Sequence, residues 1–315
     1  MINTQRVAQV LSQNIGKVIV GKQDVVELLF IALICKGHVL IEDVPGVGKT
    51  SLASAMARSL DCSFKRIQFT PDVTPSDVTG FTIANFKTGE MEYRPGAVMS
   101  QIVLADEINR TSPKTQSSLL EVMEEGQTTV DGVTYSMPRP FMVLATQNPV
   151  DFVGTYPLPE AQLDRFFMKV SIGYPTADEE TEILERYTDG TRPMEELRPI
   201  CTASDILLLQ EQLSQVRASK EVRAYISMIA AASRRHSALQ LGVSTRGAIA
   251  LLRAAQADAM LDGRDYVLPE DVQDMAASVL AHRLVLSPEA RLRNMTPEKV
   301  LENVIASVKV PVKLP

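Results

Sequence analysis

The sequence predicts an α/β fold, a parallel sheet flanked by helices, followed by an all-α helical region. In the first half of the 315 residues, short apolar runs alternate with segments of helical spacing, and this alternation is typical of βαβ units. After Pro175, only helical spacing and helix stop signals are found. We therefore expect two domains, an α/β core over residues 1–174 and a helical domain over residues 175–315.

The elements of the core follow from the local pattern of each segment. Short β-rich apolar runs predict strands, and longer segments with a period of 3.6 residues predict helices. In chain order, the predicted elements are a helix at 24–36, a strand at 39–41, a helix at 51–60, strands at 65–69 and 102–105, a helix at 114–124 and a strand at 141–145.

Two segments interrupt this alternation. Residues 71–100 contain several prolines and glycines and a turn-like Lys87-Thr88-Gly89. Further along the chain, Asp131-Gly132 separates β-rich runs at 127–130 and 133–136, and this dipeptide predicts a type I′ hairpin.

The helical region divides at proline, glycine and capping signals. Ser244 is expected to cap the start of one helix, and Gly263 is expected to end it. The predicted helices cover residues 177–187, 203–216, 224–237, 245–261, 269–282 and 297–307.

Composition limits the classes of function. The formal net charge is −6, Trp is absent and only 5% of the residues are aromatic, which argues against a surface that wraps nucleic acid or stacks on bases. The most apolar stretch, residues 25–34, is too short to span a bilayer, and no secretory signal is recognised. We expect a cytoplasmic protein without nucleic-acid binding or membrane insertion.

The cysteines and histidines do not indicate a metal centre. The cysteines are far apart and form no C-x-x-C pair, and Cys35 and Cys62 are expected to be buried and reduced. The spacing of the three histidines, His38, His236 and His282, is not that of metal ligands. The sequence therefore does not support a metal-dependent peptidase. Each histidine is expected on a helix surface or in a loop.

A glycine-rich turn between a strand and a helix carries the strongest functional signal. Residues 39–50 read VLIEDVPGVGKT, and the helix that follows is rich in alanine. Gly46 and Gly48 lack the Cβ atoms that would keep backbone amides from phosphate oxygens, and the helix N-terminus adds partial positive charge. Lys49 can bridge the β- and γ-phosphates, and the Thr50 hydroxyl can ligate Mg²⁺. The sequence therefore predicts binding of a nucleoside triphosphate.

The match to the strict pattern G-x-x-x-x-G-K-[ST] is incomplete, because Asp43 stands where its first glycine is expected. The alternative interpretation is an ordinary strand-to-helix turn whose lysine caps a solvated end. The flanking strand and helix favour the phosphate-binding loop. We expect Asp43 to affect the affinity for nucleotide more than binding itself.

A second chemical signal follows the strand at 102–105, which ends in Asp106 and Glu107. The carboxyl ends of parallel strands meet at the edge of the sheet where ligands bind. There, Asp106 can hold Mg²⁺ through water, and Glu107 can orient and polarise an attacking water. A solvated acidic turn is the alternative, and the nearby phosphate loop favours the catalytic interpretation.

Three further polar residues have a functional and an ordinary interpretation. Asn148 follows the strand at 141–145 and can bond the nucleophilic water or the γ-phosphate, although a turn-forming Asn-Pro pair explains it equally. Arg165 lies among the apolar residues of segment 162–167. It is either the partner in a salt bridge within the chain or an arginine finger that reaches a neighbouring subunit's phosphate. Arg246 lies in the first turn of a helix, where the dipole disfavours cations, so it is a candidate for facing a phosphate.

Taken in order, these motifs resemble those of the AAA+ ATPases, and most closely those of their MoxR family. The resemblance covers nearly the whole chain. The segments that carry it are Val20-Gly21-Lys22, the phosphate loop, Ala105-Asp106-Glu107-Ile108-Asn109-Arg110, Ala145-Thr146-Gln147-Asn148-Pro149, Leu163-Asp164-Arg165-Phe166 and Ser244-Thr245-Arg246.

The resemblance implies a role for each matching residue. Asn148 would be sensor 1, Arg165 the arginine finger and Arg246 sensor 2, while Asp106 and Glu107 would form the Walker B motif. The residues implied in nucleotide binding are Val20 and Gly21 at the adenine, and Pro45, Gly46, Val47, Gly48, Lys49, Thr50, Ser51 and Asp106 around the phosphates. Thr50 and Asp106 would hold Mg²⁺.

The same resemblance implies the architecture and the partners. Residues 71–100 would be a helix-2 insert and residues 127–136 a pre-sensor-1 hairpin, both facing a central pore, and residues 175–315 would be the lid. MoxR proteins are similar to chaperones that remodel or activate partners, often von Willebrand factor A domain proteins or metal-cofactor enzymes. We therefore expect a homo-oligomeric, six-membered ring that hydrolyses ATP with Mg²⁺.

Other functions remain open from the sequence. A magnesium-chelatase-type motor subunit would share both insertions, and a DNA-directed AAA+ ATPase would share the core, although the acidic charge argues against DNA. A nucleotide-gated binding module with little turnover is a third alternative, which an intact Glu107 and Asn148 make less favourable.

Overall fold

The structure is a computed structural model that describes residues 2–87, 89–148, 154–188 and 193–311. Its helices are, in chain order, α1 (Thr4–Gly16), α2 (Gln23–Ile34), α3 (Lys49–Ser59), α4 (Pro75–Thr79), α5 (Pro113–Glu125), α6 (Glu160–Leu163), α7 (Ala177–Thr188), α8 (Pro193–Glu196), α9 (Ala203–Gln212), α10 (Lys220–Arg235), α11 (Thr245–Leu261), α12 (Pro269–Leu280), α13 (Pro288–Leu292) and α14 (Pro297–Ser307). Its strands are β1 (Val39–Glu42), β2 (Phe64–Gln68), β3 (Gly80–Ala84), β4 (Met91–Pro95), β5 (Ile102–Asp106), β6 (Gln127–Val130), β7 (Val133–Ser136), β8 (Met142–Gln147), β9 (Met168–Val170), β10 (Leu239–Leu241) and β11 (Val285–Leu286).

Within the described residues, five strands form one parallel sheet in the order β2-β5-β8-β1-β9. Strand β1 pairs with β8 on one side and with the edge strand β9 on the other, with Val39 opposite Leu144 and Met168. Because all five strands run the same way, their carboxyl ends share one edge of the sheet. That edge carries the phosphate loop after β1 and the acids after β5.

Alternating side chains of the sheet fill two cores, one on each face. In β5, Ile102 and Leu104 join the core that contains α2 and α3, while Val103 and Ala105 join the core that contains α5. Burial on both faces explains why β5 is a continuous apolar run rather than an alternating one. The two cores hold the strand ends in fixed positions and thereby position the site.

The two interruptions predicted from the sequence form small hairpins outside the main sheet. Residues 71–100 contain α4 and the antiparallel pair β3–β4, and β6–β7 form the second hairpin. Asp131 and Gly132 have φ angles of 48° and 80°, and the type I′ turn requires positive values at both positions. The ring of Tyr93 stacks on that of Tyr135 with centroids 3.9 Å apart, so the hairpins touch each other.

The predicted fold class is confirmed, with a small addition in the helical region. There α11 packs against α12, and α10 and α14 complete the helical layer, but β10 and β11 also form a two-stranded antiparallel ribbon. Such short pieces lack a detectable period, and the expectation of helices alone missed them. The helix at 245–261 and that at 297–307 have the predicted bounds.

Two expectations about single residues, His282 and Cys62, were wrong. His38 lies in a loop as expected, although it is buried, whereas His282 is buried within a short 3-10 helix rather than on a surface. Both bond backbone carbonyls. Cys35 is buried as expected, whereas Cys62 is only partly buried. Pro149 of the Asn-Pro pair lies outside the described residues, and β8 ends at Gln147.

No helix among the described residues is long and apolar enough to cross a membrane.

Candidate functional site

The loop after β1 has the geometry that phosphate binding requires. Gly46 and Gly48 have φ angles of +88° and +89°, a left-handed conformation that residues with a Cβ rarely adopt. Gly48 is the residue before α3, which starts at Lys49, so the helix N-terminus opens directly onto the loop. Backbone N–H groups there can receive an anion without interference from side chains.

Lys49 lies at the centre of this site. Its Nζ donates to the backbone carbonyl of Asp43 at 2.6 Å. Partial burial lowers the pKa of Lys49, and the negative charges of Asp43, Asp106 and Glu107 oppose that shift. The loop after β1 and the two acids of β5 share one edge of the parallel sheet, so Lys49 lies near both acids.

Asp106 ends β5 at the same edge, and neighbouring strands hold its carboxylate. Thr146 of β8 donates its hydroxyl to Oδ1 at 2.6 Å, and Arg66 of β2 forms an ion pair with Oδ2 at 2.6 Å. Both partners come from strands adjacent to β5, so sheet pairing fixes the position of the carboxylate. Sequence reasoning missed Arg66 and Thr146, although Thr146 stands in the motif around Asn148.

Glu107 follows in a left-handed conformation, with φ of 57°, which turns the chain sharply at the strand end. Its backbone N–H donates to the Thr146 hydroxyl at 2.8 Å. Gln68 Nε2 donates to its carboxylate at 2.9 Å, and Arg110 lies 3.1 Å from the same oxygen, Oε2. The carboxylate is therefore held in place at the edge of the sheet. Gln68 carries no sequence signal, because its role depends on strand pairing.

Asn148 comes directly after β8 and is buried, 7% exposed, at the same edge as Asp106. The structure thus brings together the phosphate loop, both acids and Asn148.

A cavity of about 470 Å³ lies beside the phosphate loop. Its walls include the loop glycines and apolar residues on both sides, from the segment before α2 and from the helical region. The lining residues include Val18, Ile19, Val20, Gly46, Pro175 and Ile183. Val20 thus lines this cavity, and Gly21 is the next residue along the chain. The cavity is largely apolar, although Lys22, Ser51 and Arg186 also line it, and its position next to an anion site suits a flat base joined to phosphates.

Arg165 and Arg246 lie together, away from these residues. Both bind the carboxylate of Glu124 at the end of α5, Arg165 through Nε at 3.2 Å and Arg246 through a closer contact. Arg165 comes from the segment before β9, whereas Arg246 comes from α11. One exposed carboxylate thus joins two arginines that are far apart in the sequence.

This arginine pair lies near the opposite edge of the sheet. The carbonyl of Met123, next to Glu124, is 2.9 Å from His38 Nε2, and the carbonyl of His38 accepts from Phe167 N–H at 2.8 Å. His38 precedes β1, and Asp43 follows it. At about 3.3 Å per residue, β1 separates the edge that carries the arginine pair from the edge that carries the phosphate loop by roughly 16 Å.

A buried network, which sequence reasoning did not find, fixes the arginines. Asp164 accepts from Ser244, the cap of α11, at 3.1 Å and from Arg283 Nε at 2.9 Å. Arg283 is 8% exposed and also donates to the carbonyls of Phe166 and Phe167, at 2.6 and 3.2 Å. Burial lowers the pKa of Arg283 to about 10, and the charge of Asp164 opposes that shift.

The donor set near Lys49 suits a magnesium ion. Among the described residues, no group of three or more His, Cys, Asp or Glu side chains could hold a metal alone. Thr50 and Asp106 offer one hydroxyl and one carboxylate, both hard oxygen ligands. Mg²⁺ in nucleotide sites is commonly held by one or two such groups together with water and substrate phosphates, so the residues fit.

Comparison with known proteins agrees with this geometry. The model of the ATPase family associated with various cellular activities matches residues 38–168, and the AAA lid domain model matches residues 231–304. The fold and the site therefore define an AAA-type ATPase, an enzyme that binds nucleotide.

Individual relatives identify the family within this class. The chain is 40% identical to the chaperone MoxR1 of Mycobacterium tuberculosis, over 94% of this chain and 80% of that protein. It is 54% identical to the uncharacterised protein YeaC of Bacillus subtilis, over 96% of this chain and 94% of that one. A crystal structure of a protein from Cytophaga hutchinsonii, classed as an ATPase, superposes with a TM-score of 0.91 at 38% identity, covering 98% and 96% of the two chains. The chain belongs to the MoxR family of AAA+ ATPases.

Proposed function

We propose that this chain forms a ring in which each ATP is bound by one subunit and completed by its neighbour, and that the ring remodels or activates a partner protein. The separation of the arginine pair from the phosphate loop carries this proposal. The two arginines that are candidates for stabilising charge on the γ-phosphate lie at the far edge of the sheet from the loop of their own chain. A neighbouring copy of the chain is therefore needed to supply such arginines to each nucleotide.

Within one subunit, the residues near Lys49 would bind and orient ATP. The loop amides at Gly46–Gly48 receive phosphate oxygens, and Lys49 exchanges the Asp43 carbonyl for the β- and γ-phosphates. Thr50 and Asp106 would hold Mg²⁺, which when bound neutralises phosphate charge. The base would occupy the cavity beside Val20.

Glu107 is proposed to orient and polarise the attacking water, with Asn148 beside it. Gln68 and Arg110 hold the carboxylate in the nucleotide-free chain, so catalysis requires that it turn from these partners toward the water. A carboxylate at the strand end can do this by side-chain rotation alone, because both partners are side chains.

Arg165 and Arg246 are proposed to act in trans on the neighbouring subunit's γ-phosphate. Two guanidinium groups at one carboxylate form a preassembled cationic pair, and a γ-phosphate carries more negative charge than Glu124. Phosphate would therefore displace Glu124 when the neighbour binds ATP. This assignment puts Arg246 with Arg165 rather than with Lys49 of its own chain.

The hairpins are proposed to contact the client in the central pore. Phe81 and Phe86 are 48% and 97% exposed, whereas Tyr93 packs against Tyr135 and is not available for a client. We propose a von Willebrand factor A domain protein as the partner, a six-membered ring and a cytoplasmic location. The family resemblance supports these three statements.

The magnesium-chelatase alternative has weaker support. The magnesium-chelatase subunit ChlI-1 of Arabidopsis thaliana is 31% identical over only 64% of this chain and 47% of its own length. Nothing in the described residues favours a DNA-directed function.

The proposed chemistry is tested by comparing Lys49→Ala with Glu107→Gln. Lys49→Ala should lose binding of a fluorescent ATP analogue, because the main phosphate cation is gone. Glu107→Gln should bind ATP as wild type does but release phosphate about 10²–10⁴ times more slowly. Glu302→Gln, an exposed change in α14, is the matched control and should hydrolyse ATP normally. Full turnover by Glu107→Gln would contradict the assignment.

The proposed partner is tested with the same variant. A chain held in the ATP state should retain its client and partner, so affinity purification with Glu107→Gln, compared with Lys49→Ala, should enrich them. Absence of any protein containing a von Willebrand factor A domain from that fraction would remove this part of the proposal.

A further inference from the structure

Asp43, the residue that departs from the strict phosphate-loop pattern, has unusual contacts. It is 6% exposed, and its Oδ2 accepts from three donors in the segment after β9: Ser171 Oγ at 3.2 Å, Gly173 N–H at 2.9 Å and the Ile172 N–H. This segment, residues 171–176, connects β9 to α7 and is called the connector here.

The same residue also touches the phosphate-binding lysine and the neighbouring strand. Its backbone carbonyl accepts from Lys49 Nζ at 2.6 Å, and its backbone N–H donates to the carbonyl of Gln147, the residue before Asn148, at 3.2 Å. Asp43 is thus in contact with the lysine through its backbone and with the connector through its side chain.

A glycine at position 43 would keep the backbone contacts and lose all of those to the connector. Two of the three donors are backbone N–H groups, which need an acceptor when buried. A carboxylate is the strongest acceptor available, and one oxygen can satisfy several donors. The departure from the pattern therefore adds a link that the strict pattern lacks.

The position of this link matters for the proposed function. Gly46 and Gly48 line one side of the cavity beside the loop, and Gly173 and Pro175 of the connector line another. When Lys49 binds a phosphate instead of the Asp43 carbonyl, Asp43 loses one hydrogen bond of its backbone. The connector is hydrogen-bonded to the side chain of this same residue.

We propose that Asp43 is a positioning residue that couples occupancy of the phosphate loop to the connector, and through it to α7 and the helical region. This inference rests on the proposed nucleotide binding. It makes Asp43 a mechanical link rather than a ligand of the nucleotide, and it predicts that loss of the carboxylate separates nucleotide binding from the response of the connector.

The test is amide hydrogen exchange of the full chain with and without ATPγS, read on peptides that cover residues 168–176. In wild type, ATPγS should change exchange in the connector. In Asp43→Gly, the connector should exchange about tenfold faster without nucleotide, and ATPγS should no longer change it, because the acceptor of Ile172 and Gly173 is gone. ATPγS should still bind to this variant, as read by competition with a fluorescent analogue.

Matched variants separate coupling from a general loss of structure. Ser171→Ala removes only the side-chain donor and should keep the connector response, while Asp43→Asn keeps the side-chain shape with a weaker acceptor and should give an intermediate response. In steady-state assays, Asp43→Gly should lower kcat more than it raises KM, whereas a purely structural role would lower the fraction of active protein and the Tm without changing the response of the molecules that remain folded.

Four outcomes decide the inference. A wild-type-like connector response in Asp43→Gly overturns it, and so does a wild-type connector that ignores bound ATPγS. Failure of wild type to bind ATPγS at all is a different result, because it overturns the proposed function, and the inference falls with it. Loss of the response in Asp43→Gly with binding and Ser171→Ala intact supports it.

Discussion

At the scale of single residues, His38 has a fixed tautomer and a lowered pKa, and stability measurements can detect the lowered pKa. The Val143 N–H donates to Nδ1 at 2.9 Å, and Nε2 lies 2.9 Å from the Met123 carbonyl, so the neutral ring carries its proton on Nε2. Burial lowers the pKa of His38 from 6.5 to about 4, and the bond to Met123 opposes the shift. A second proton on the ring would lose the bond from Val143.

We therefore expect His38 to make the fold sensitive to acid. Between pH 6.5 and about 4, the unfolded chain binds a proton at this position that the folded chain does not, so stability from His38 falls as the pH falls, by about 1.4 kcal/mol per pH unit. His38→Gln, which can accept from Val143 and donate to Met123, should flatten this dependence in urea unfolding at pH 7, 6 and 5.

The comparison with His38→Gln is necessary because other groups titrate in the same range. Burial and nearby carboxylates, Asp271 first, raise the pKa of Asp258 to about 7, so protonation of Asp258 favours the folded state as the pH falls through 7. Burial also lowers the pKa of His282. Equal slopes for wild type and His38→Gln would contradict the role given to His38.

At the scale of elements, the two hairpins outside the sheet form one unit. The rings of Tyr93 in β4 and Tyr135 in β7 stack with an interplanar angle of 14°, and the Tyr93 hydroxyl donates to the Thr79 carbonyl at 2.6 Å. Thr82 in β3 also bonds to Asp131 in the β6–β7 turn. Since the two hairpins are held at both places, motion of one should move the other.

The ring contact should appear as a coupling energy between the hairpins. Tyr93→Leu, Tyr135→Leu and the double variant should give an interaction free energy of about 0.5–1.5 kcal/mol in chemical unfolding. Tyr174→Leu, at a ring that is 71% exposed, is the control and should couple to neither tyrosine. Simple additivity of the two hairpin changes would mean that the hairpins are independent.

At the scale of the whole molecule, the sharpest question is which chain's phosphate the arginines serve. If Arg246 acts on its neighbour's nucleotide, as Arg165 is proposed to do, a ring that mixes Arg246→Ala with Lys49→Ala subunits contains sites with both an intact loop and intact neighbouring arginines. Such sites should make up about a quarter of all sites in a random equal mixture of a closed ring.

We therefore expect the mixture to regain ATPase activity that neither variant has alone, to about a quarter of the wild-type rate. Arg165→Ala mixed with Lys49→Ala should behave the same way, and Arg291→Ala, an exposed arginine of α13, should be active without mixing. If Arg246 instead served its own chain, mixing would restore nothing for Arg246→Ala while still rescuing Arg165→Ala.

The sequence alone predicted the elements and residues whose signals are local. The left-handed glycines of the phosphate loop, the acids at the end of β5 and the Asp131-Gly132 turn each depend on a few adjacent residues, and the structure has them where the pattern indicated. The sequence also predicted four of the five sheet strands, because buried parallel strands and helices alternate with characteristic lengths, but it gave no signal for the three-residue β9.

The tertiary structure decided the contacts that form only between particular neighbouring strands and helices. Arg66 and Gln68 hold the acids only because β2 pairs with β5, and Arg246 meets Arg165 only because Ser244 and Arg283 fasten the helical region to Asp164. The sequence marked Asp43 as an imperfection, and the fold gave it three donors from a segment more than a hundred residues away. Local chemistry can be read along the chain, but a contact between distant segments exists only after the cores have packed.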